Sequence, residues 1–144
     1  MAALFALLLA QLQGQARQSV PTQQVNSPSA ELLSPSEGVD FSAYLTDLCR
    51  VVKRNWYAVL PQSAMLGEKG RVVLRLQIQK DGRVAGQTPT VEISSGKKAL
   101  DKAAIGATHS SAPFKHLPEV FRGPHIEVRL TFLYNQPPEP TQHP

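Results

Sequence analysis

Two periods of hydrophobic spacing run along this chain and divide it into elements. Phe41, Tyr44, Leu45, Leu48, Val52, Trp56 and Val59 recur at three- and four-residue steps, which is the single apolar stripe of an amphipathic helix. Arg50, Lys53 and Arg54 fall mainly off that stripe, and Pro61 ends the pattern soon after Val59 because proline cannot continue a helix. Further on the period drops to two. Val72, Leu74, Leu76 and Ile78 alternate with Arg71, Val73, Arg75, Gln77 and Gln79, which predicts a half-buried strand. Asp81-Gly82 is a tight-turn signal, so a return strand is expected. That return is interrupted at "AGQTP" and resumes at "TVEIS". Pro89 cannot donate to a ladder, which predicts an irregular edge strand there.

Leu100, Ala103, Ala104 and Ala107 mark one face of a second, shorter helix, and "HIEVRLTFLYN" then carries the cleanest alternation in the sequence. Ile126, Val128, Leu130, Phe132 and Tyr134 share one face, with Glu127, Arg129 and Thr131 on the other. The predicted order is helix, strand, strand, helix, strand. This is an α+β fold in which a three-stranded antiparallel sheet packs one face on two helices. The domain is expected to span residues 41–134.

The flanks read differently. Residues 17–40 and 135–144 are rich in Ser, Pro and Gln without apolar periodicity, the composition of a linker and a disordered Pro-rich tail. Residues 1–16 carry an apolar run from Ala2 to Ala10, far short of the ~20 residues that a membrane-spanning helix needs. Gly14-Gln15-Ala16 suits a small-x-small cleavage site, but no Lys or Arg precedes the run. A secretory signal, a truncated anchor and a mis-called start therefore all stay open, with export favoured.

Charge is concentrated in the domain. Residues 41–134 hold 14 of the 15 Lys and Arg residues and 7 of the 11 acids. An anionic partner would suit this balance, although dispersed lysines are more often simple solvation. The lone Cys49 excludes an intrachain disulfide and, with no base nearby in sequence, reads as a structural thiol. His109, His116, His125 and His143 have no metal-ligand spacing, and the acids form no pair placed by spacing, so neither a metal site, a cofactor site nor a catalytic residue is expected.

One stretch invites an enzymatic interpretation. "ISSGKKALDKAA" joins a strand to a helix, and Ser94-x-x-Lys97 and Ser95-x-x-Lys98 match a nucleophilic Ser-x-x-Lys string. The companion motifs are missing. A phosphate loop fails as well, since Val91 stands where a first glycine is needed and Lys98 where Ser or Thr is needed. A structural joint fits better: Ser94 or Ser95 as cap, Gly96 for a tight entry, and Leu100 and Asp101 in the first turns. Nucleic-acid binding is disfavoured because Phe132 and Tyr134 lie on the apolar face rather than displayed for base stacking. What remains is backbone chemistry. A regular strand at a sheet edge can accept an extended peptide by strand addition, and residues 125–134 contain no internal proline. The alternative is that this strand is central or has its edge covered.

The ordered set of these elements resembles the C-terminal domain of the TonB family and its TolA relatives over roughly residues 40–135. The resemblance is carried by the Trp-ending helix "AYLTDLCRVVKRNWY", the strand and turn "GRVVLRLQIQKDGRV", "SSGKKALDKAA", a Pro-Phe segment and the closing "IEVRLTFLYN". It implies a non-enzymatic periplasmic module that couples inner-membrane energy to outer-membrane transport. It also implies that the last strand captures the extended N-terminal box of an outer-membrane receptor. Here that strand corresponds to His125, Ile126, Glu127, Val128, Arg129, Leu130, Thr131, Phe132, Leu133, Tyr134 and Asn135. An inner-membrane proton-channel motor complex is an implied partner if an anchor exists, and a homodimer is an open assembly under the alternative reading. A TolA-like or stand-alone scaffolding module, binding a folded partner or itself, is the alternative that the resemblance leaves open.

Overall fold

The computed structural model describes residues 27–86 and 89–136. The signal-like segment, the end of the Pro-rich tail and His143 lie outside the described residues. The elements are β1 (Ser29–Leu32), α1 (Ser42–Ala58), the single-turn α2 (Gln62–Met65), β2 (Gly70–Gln79), β3 (Thr90–Ile93), α3 (Lys98–Ser111) and β4 (His125–Tyr134). The four strands form one antiparallel sheet in the order β1-β4-β2-β3.

The α+β class and the helix-strand-strand-helix-strand order of residues 41–134 agree with the sequence pattern. Two expectations change. The sheet has four strands rather than three, because the expected 17–40 linker contains β1. The last strand is consequently internal, with β1 on one side and β2 on the other. Ala30 and Leu32 alternate with Ser29 and Glu31, but a four-residue strand within the six residues between Pro28 and Pro35 carries too little pattern to be separated from a linker.

Each period in the sequence has its physical counterpart. Tyr44, Leu48, Val52 and Trp56 are the buried residues of α1, four apart, whereas Val59 at the end of the stripe is 46% exposed. The helix starts where the Asp40 carboxylate accepts the Ser42 N–H at 2.9 Å. In β2 and β4, Val72, Leu74, Leu76, Ile78, Ile126, Val128, Leu130, Phe132 and Tyr134 are all buried in the core cluster with residues of both helices. Small residues, Ala103, Ala104 and Ala107, form the buried face of α3. Their size lets α1 approach, and Asn55 Nδ2 donates to Ser111 Oγ at 2.8 Å across the two helices.

Aromatic packing fixes the centre. The Trp56 ring stands edge-on to Phe132 at 5.1 Å and to Tyr134 at 4.9 Å, geometries favoured by the ring quadrupoles. Trp56 Nε1 donates to Tyr134 Oη at 2.8 Å, and that hydroxyl donates to the Leu100 carbonyl at 2.8 Å. One buried relay therefore ties α1, β4 and α3.

The Asp81-Gly82 turn forms as the sequence indicates. Gly82 N–H donates to Gln79 O at 2.8 Å, and Gln79 N–H to Arg83 O at 2.7 Å. Val84 bridges back to Ile78, and the return resumes at β3 with a register shift opposite Val73 and Leu74. Gly82 has φ +90°, and a Cβ there would stand 2.0 Å from the Phe114 carbonyl oxygen. No described helix is long and apolar enough to cross a membrane.

Candidate functional site

The backbone of β4 has two edges, and alternation assigns its groups to them. In an antiparallel ladder, successive residues point their N–H and C=O groups to opposite neighbours. Lys80 N–H donates to Pro124 O at 3.1 Å on the β2 side, and Leu33 N–H donates to Glu127 O at 2.8 Å on the β1 side. Even-numbered residues of β4 therefore bond to β2, and Glu127, Arg129 and Thr131 present their backbone groups to the outer edge.

That outer edge is occupied. Ser29 lies opposite Thr131, Ala30 opposite Leu130, Glu31 opposite Arg129 and Leu32 opposite Val128. Just beyond β1, the Glu127 N–H donates to Ser34 Oγ at 2.9 Å. Ala30 and Leu32 are half-buried and pack against the core cluster, sharing the face of Leu130 and Val128. Glu31 stays on the open face beside Arg129.

The open face of the sheet carries a ladder of five charges across all four strands. Arg129 reaches Glu31 at 3.2 Å and Glu92 at 2.8 Å; Arg75 reaches Glu127 at 2.7 Å and Glu92 at 3.8 Å. The bond to Glu92, supported by Glu31, holds the Arg129 guanidinium above its ordinary pKa. The same bond from Arg129 depresses the Glu92 carboxyl. Such pairs are exposed and individually weak, but they fix which charges an incoming strand would meet.

The remaining sequence candidates fall into two groups. Ile126, Val128, Leu130, Phe132 and Tyr134 are core side chains whose backbone groups bond to β2 rather than to the outer edge; Leu133 is also buried. Glu127, Arg129 and Thr131 supply the outer backbone groups, and His125 opens the strand half-buried. Asn135 lies just past β4 with φ 54°. Its side-chain N–H groups are spent internally on the Ala64 and Glu68 carbonyls, each at 2.8 Å, so its side chain is not displayed.

At the strand-to-helix joint the cap differs from the sequence expectation. Lys97 is the N-cap and makes no side-chain capping bond. The two serines instead gather on Asp101. Ser94 Oγ donates to its carboxylate, as do Ser95 N–H at 2.9 Å and Ser95 Oγ at 2.6 Å. Ser95 Oγ also accepts the Lys97 N–H at 3.1 Å. Burial works against ionisation of Asp101, and these serine bonds outweigh it, leaving its pKa below the ordinary value. Gly96 takes φ +79° in the bend, and Leu100 is fully buried at the head of the helix. The serine hydroxyls are thus donors to a carboxylate that holds the joint together.

Burial raises the Cys49 pKa, the opposite of activation. His109 sits in the last turn of α3 and His116 in the loop after it. No group of three potential metal-ligating side chains forms among the described residues.

These features define a small α+β domain whose closing strand lies between β1 and β2. The sequence model of the family described as Gram-negative bacterial TonB protein C-terminal matches residues 58–135, more than half of the chain. The chain belongs to that family. The structure is also similar to the solution structure of the Helicobacter pylori TonB C-terminal domain, at 21% identity and a TM-score of 0.46, covering 71% of this chain and 88% of that one. No curated protein matches.

The residues that sequence reasoning missed are Ala30, Glu31, Leu32 and Ser34, which meet the candidate edge. Only the brief Ala30–Leu32 alternation signalled them.

Proposed function

We propose that the chain is a periplasmic TonB-like module that engages the extended N-terminal segment of an outer-membrane receptor at the outer edge of β4. Through that contact it couples or modulates energy-dependent transport. The binding is non-covalent and needs no cofactor. Outer-edge amides and carbonyls of Glu127, Arg129 and Thr131 supply sequence-independent hydrogen bonds, and the flanking side chains supply selectivity.

One observation carries this reading: the edge already holds an extended segment, β1, in antiparallel register with β4. An edge that pairs with four residues of the same chain has the geometry that strand addition requires. Family membership supports a protein-interaction role.

The test is a titration of the isotope-labelled chain with synthetic peptides copying receptor N-terminal segments, followed by amide NMR. Shifts concentrated at Glu127, Arg129 and Thr131 are expected. A proline placed centrally in the peptide should abolish them, because it removes a ladder donor. Shifts located on α1 or α3 instead, or binding indifferent to the proline, would overturn the assignment.

A further inference from the structure

We infer that residues 29–34 are an intramolecular occupant of the partner edge, which any incoming strand must displace, and that their side chains define the partner it accepts. The inference rests on the assignment of the β4 edge as the binding site and goes beyond it.

The geometry of β1 is that of a seated ligand rather than of a structural strand. It meets β4 on one side and is the last strand of the sheet on the other. None of its four residues is fully buried. Its attachment consists of the ladder, two half-buried aliphatic side chains and one ion pair. The ladder is extended by the Leu33 N–H to Glu127 O bond at 2.8 Å and closed by Ser34 Oγ on the Glu127 N–H at 2.9 Å. A short connection, residues 33–41, leads from β1 to α1. Tethering of this kind raises the local concentration of the strand to roughly millimolar, so a weak contact is enough to keep the edge closed.

The same contacts describe the displacing partner. Small or aliphatic side chains two residues apart must face Leu130 and Val128, as Ala30 and Leu32 do. The residue between them faces Arg129, where the Glu31 carboxylate sits 3.2 Å from the guanidinium. The favoured partner is an extended segment of the pattern aliphatic–acidic–aliphatic. A basic residue at the middle position would bring like charge to Arg129 and is selected against.

The test uses the chain's own segment in trans. The probe is the synthetic nonapeptide SPSAELLSP, residues 27–35, titrated into the labelled full chain as wild type, Glu31→Pro and Glu31→Arg. Glu31 occupies a hydrogen-bonded position of the ladder, so Glu31→Pro removes a donor there. Glu31→Arg keeps every backbone bond and changes only the charge, which guards against a fold defect. The peptide is expected to bind Glu31→Pro with a Kd at least ten-fold below that for wild type, with Glu31→Arg intermediate. Its shifts should fall at Glu127, Arg129 and Thr131, and a peptide carrying its own Glu31→Arg change should bind several-fold more weakly. In Glu31→Pro without peptide, amide exchange at Arg129 and Thr131 should quicken by ten-fold or more while Val128 and Leu130 hold.

Equal affinity for all three chains, or no binding to the opened variants, would overturn the occupant role. Receptor-derived peptides separate this failure from that of the proposed function. If they bind wild type and Glu31→Pro equally, the occupant role fails while receptor binding stands. If SPSAELLSP binds only the opened chains and no receptor peptide binds any, the reverse holds.

Discussion

Replacing Tyr134 with Phe removes a single oxygen, yet that oxygen joins three elements. It accepts the Trp56 indole N–H at 2.8 Å and donates to the Leu100 carbonyl at 2.8 Å, and Trp56, Leu100 and Tyr134 are all 0% exposed. The ring stays, so the packing against Trp56 is kept. The main loss is at the indole N–H of the fully buried Trp56; a buried donor left unpaired costs about 1–3 kcal/mol. The Leu100 carbonyl loses less, because its helical position also offers it the N–H four residues on. About 2 kcal/mol is the working figure. With an m-value of about 1–1.5 kcal/mol/M for a domain of this size, the urea midpoint should fall by roughly 1.5 M. A Trp56→Phe, Tyr134→Phe double-mutant cycle should then return a coupling of about 1 kcal/mol or more. A midpoint within about 0.2 M of wild type would refute the relay as a source of stability.

Three further outcomes follow from the same geometry. Gly82→Ala should cost about 2–3 kcal/mol, since φ is +90° and the added Cβ would meet the Phe114 carbonyl oxygen at 2.0 Å; thermal or urea unfolding measures it. Asp101→Ala should cost about 1–2 kcal/mol by releasing Ser94 and Ser95. Because the folded-state pKa of Asp101 lies below the unfolded value of 3.8, its contribution is present above that value and fades as pH falls through the folded pKa. The variant should therefore show a shallower acid decline in unfolding midpoint. Burial pushes the Tyr134 and Tyr44 hydroxyls up to about 12 from 10.0. Folded-state pKa values above the unfolded ones mean stability is intact below pH 10 and lost as pH rises toward 12, at about 1.4 kcal/mol per pH unit for each ring. Urea midpoints at pH 8, 10 and 11 measure the slope, which Tyr44→Phe and Tyr134→Phe should each flatten.

Much of the fold was legible because two long elements carry unambiguous periods. β2 and β4 each alternate over ten residues, and the α1 stripe recurs every four, so burial of Val52, Trp56, Leu74 and Phe132 follows from spacing alone. The Asp81-Gly82 turn was legible because its chemistry is local. The cap at the second helix was not, because the choice between a serine capping α3 and a serine bonding Asp101 depends on where the Asp101 side chain turns. The largest miss, β1, has a physical cause. A four-residue strand flanked by prolines is held by pairing to partners 96 to 102 residues away, and pairing of that kind leaves little imprint on local composition. The candidate edge was thus identified from the strand that forms it, while the segment that covers it passed for linker.

Sharing of the β4 edge between β1 and a partner is tested most directly by a cross-strand nuclear Overhauser experiment on the full chain, before and after addition of a receptor-derived extended peptide. The Ala30–Leu130 and Leu32–Val128 pairs are the non-hydrogen-bonded positions of the β1–β4 ladder, where the Cα atoms approach to about 4.5 Å. Their α-proton contacts should be strong in the free chain. On saturation with peptide they should vanish and be replaced by intermolecular contacts to the same Leu130 and Val128 protons. Persistence of the internal contacts with peptide bound would contradict a shared edge.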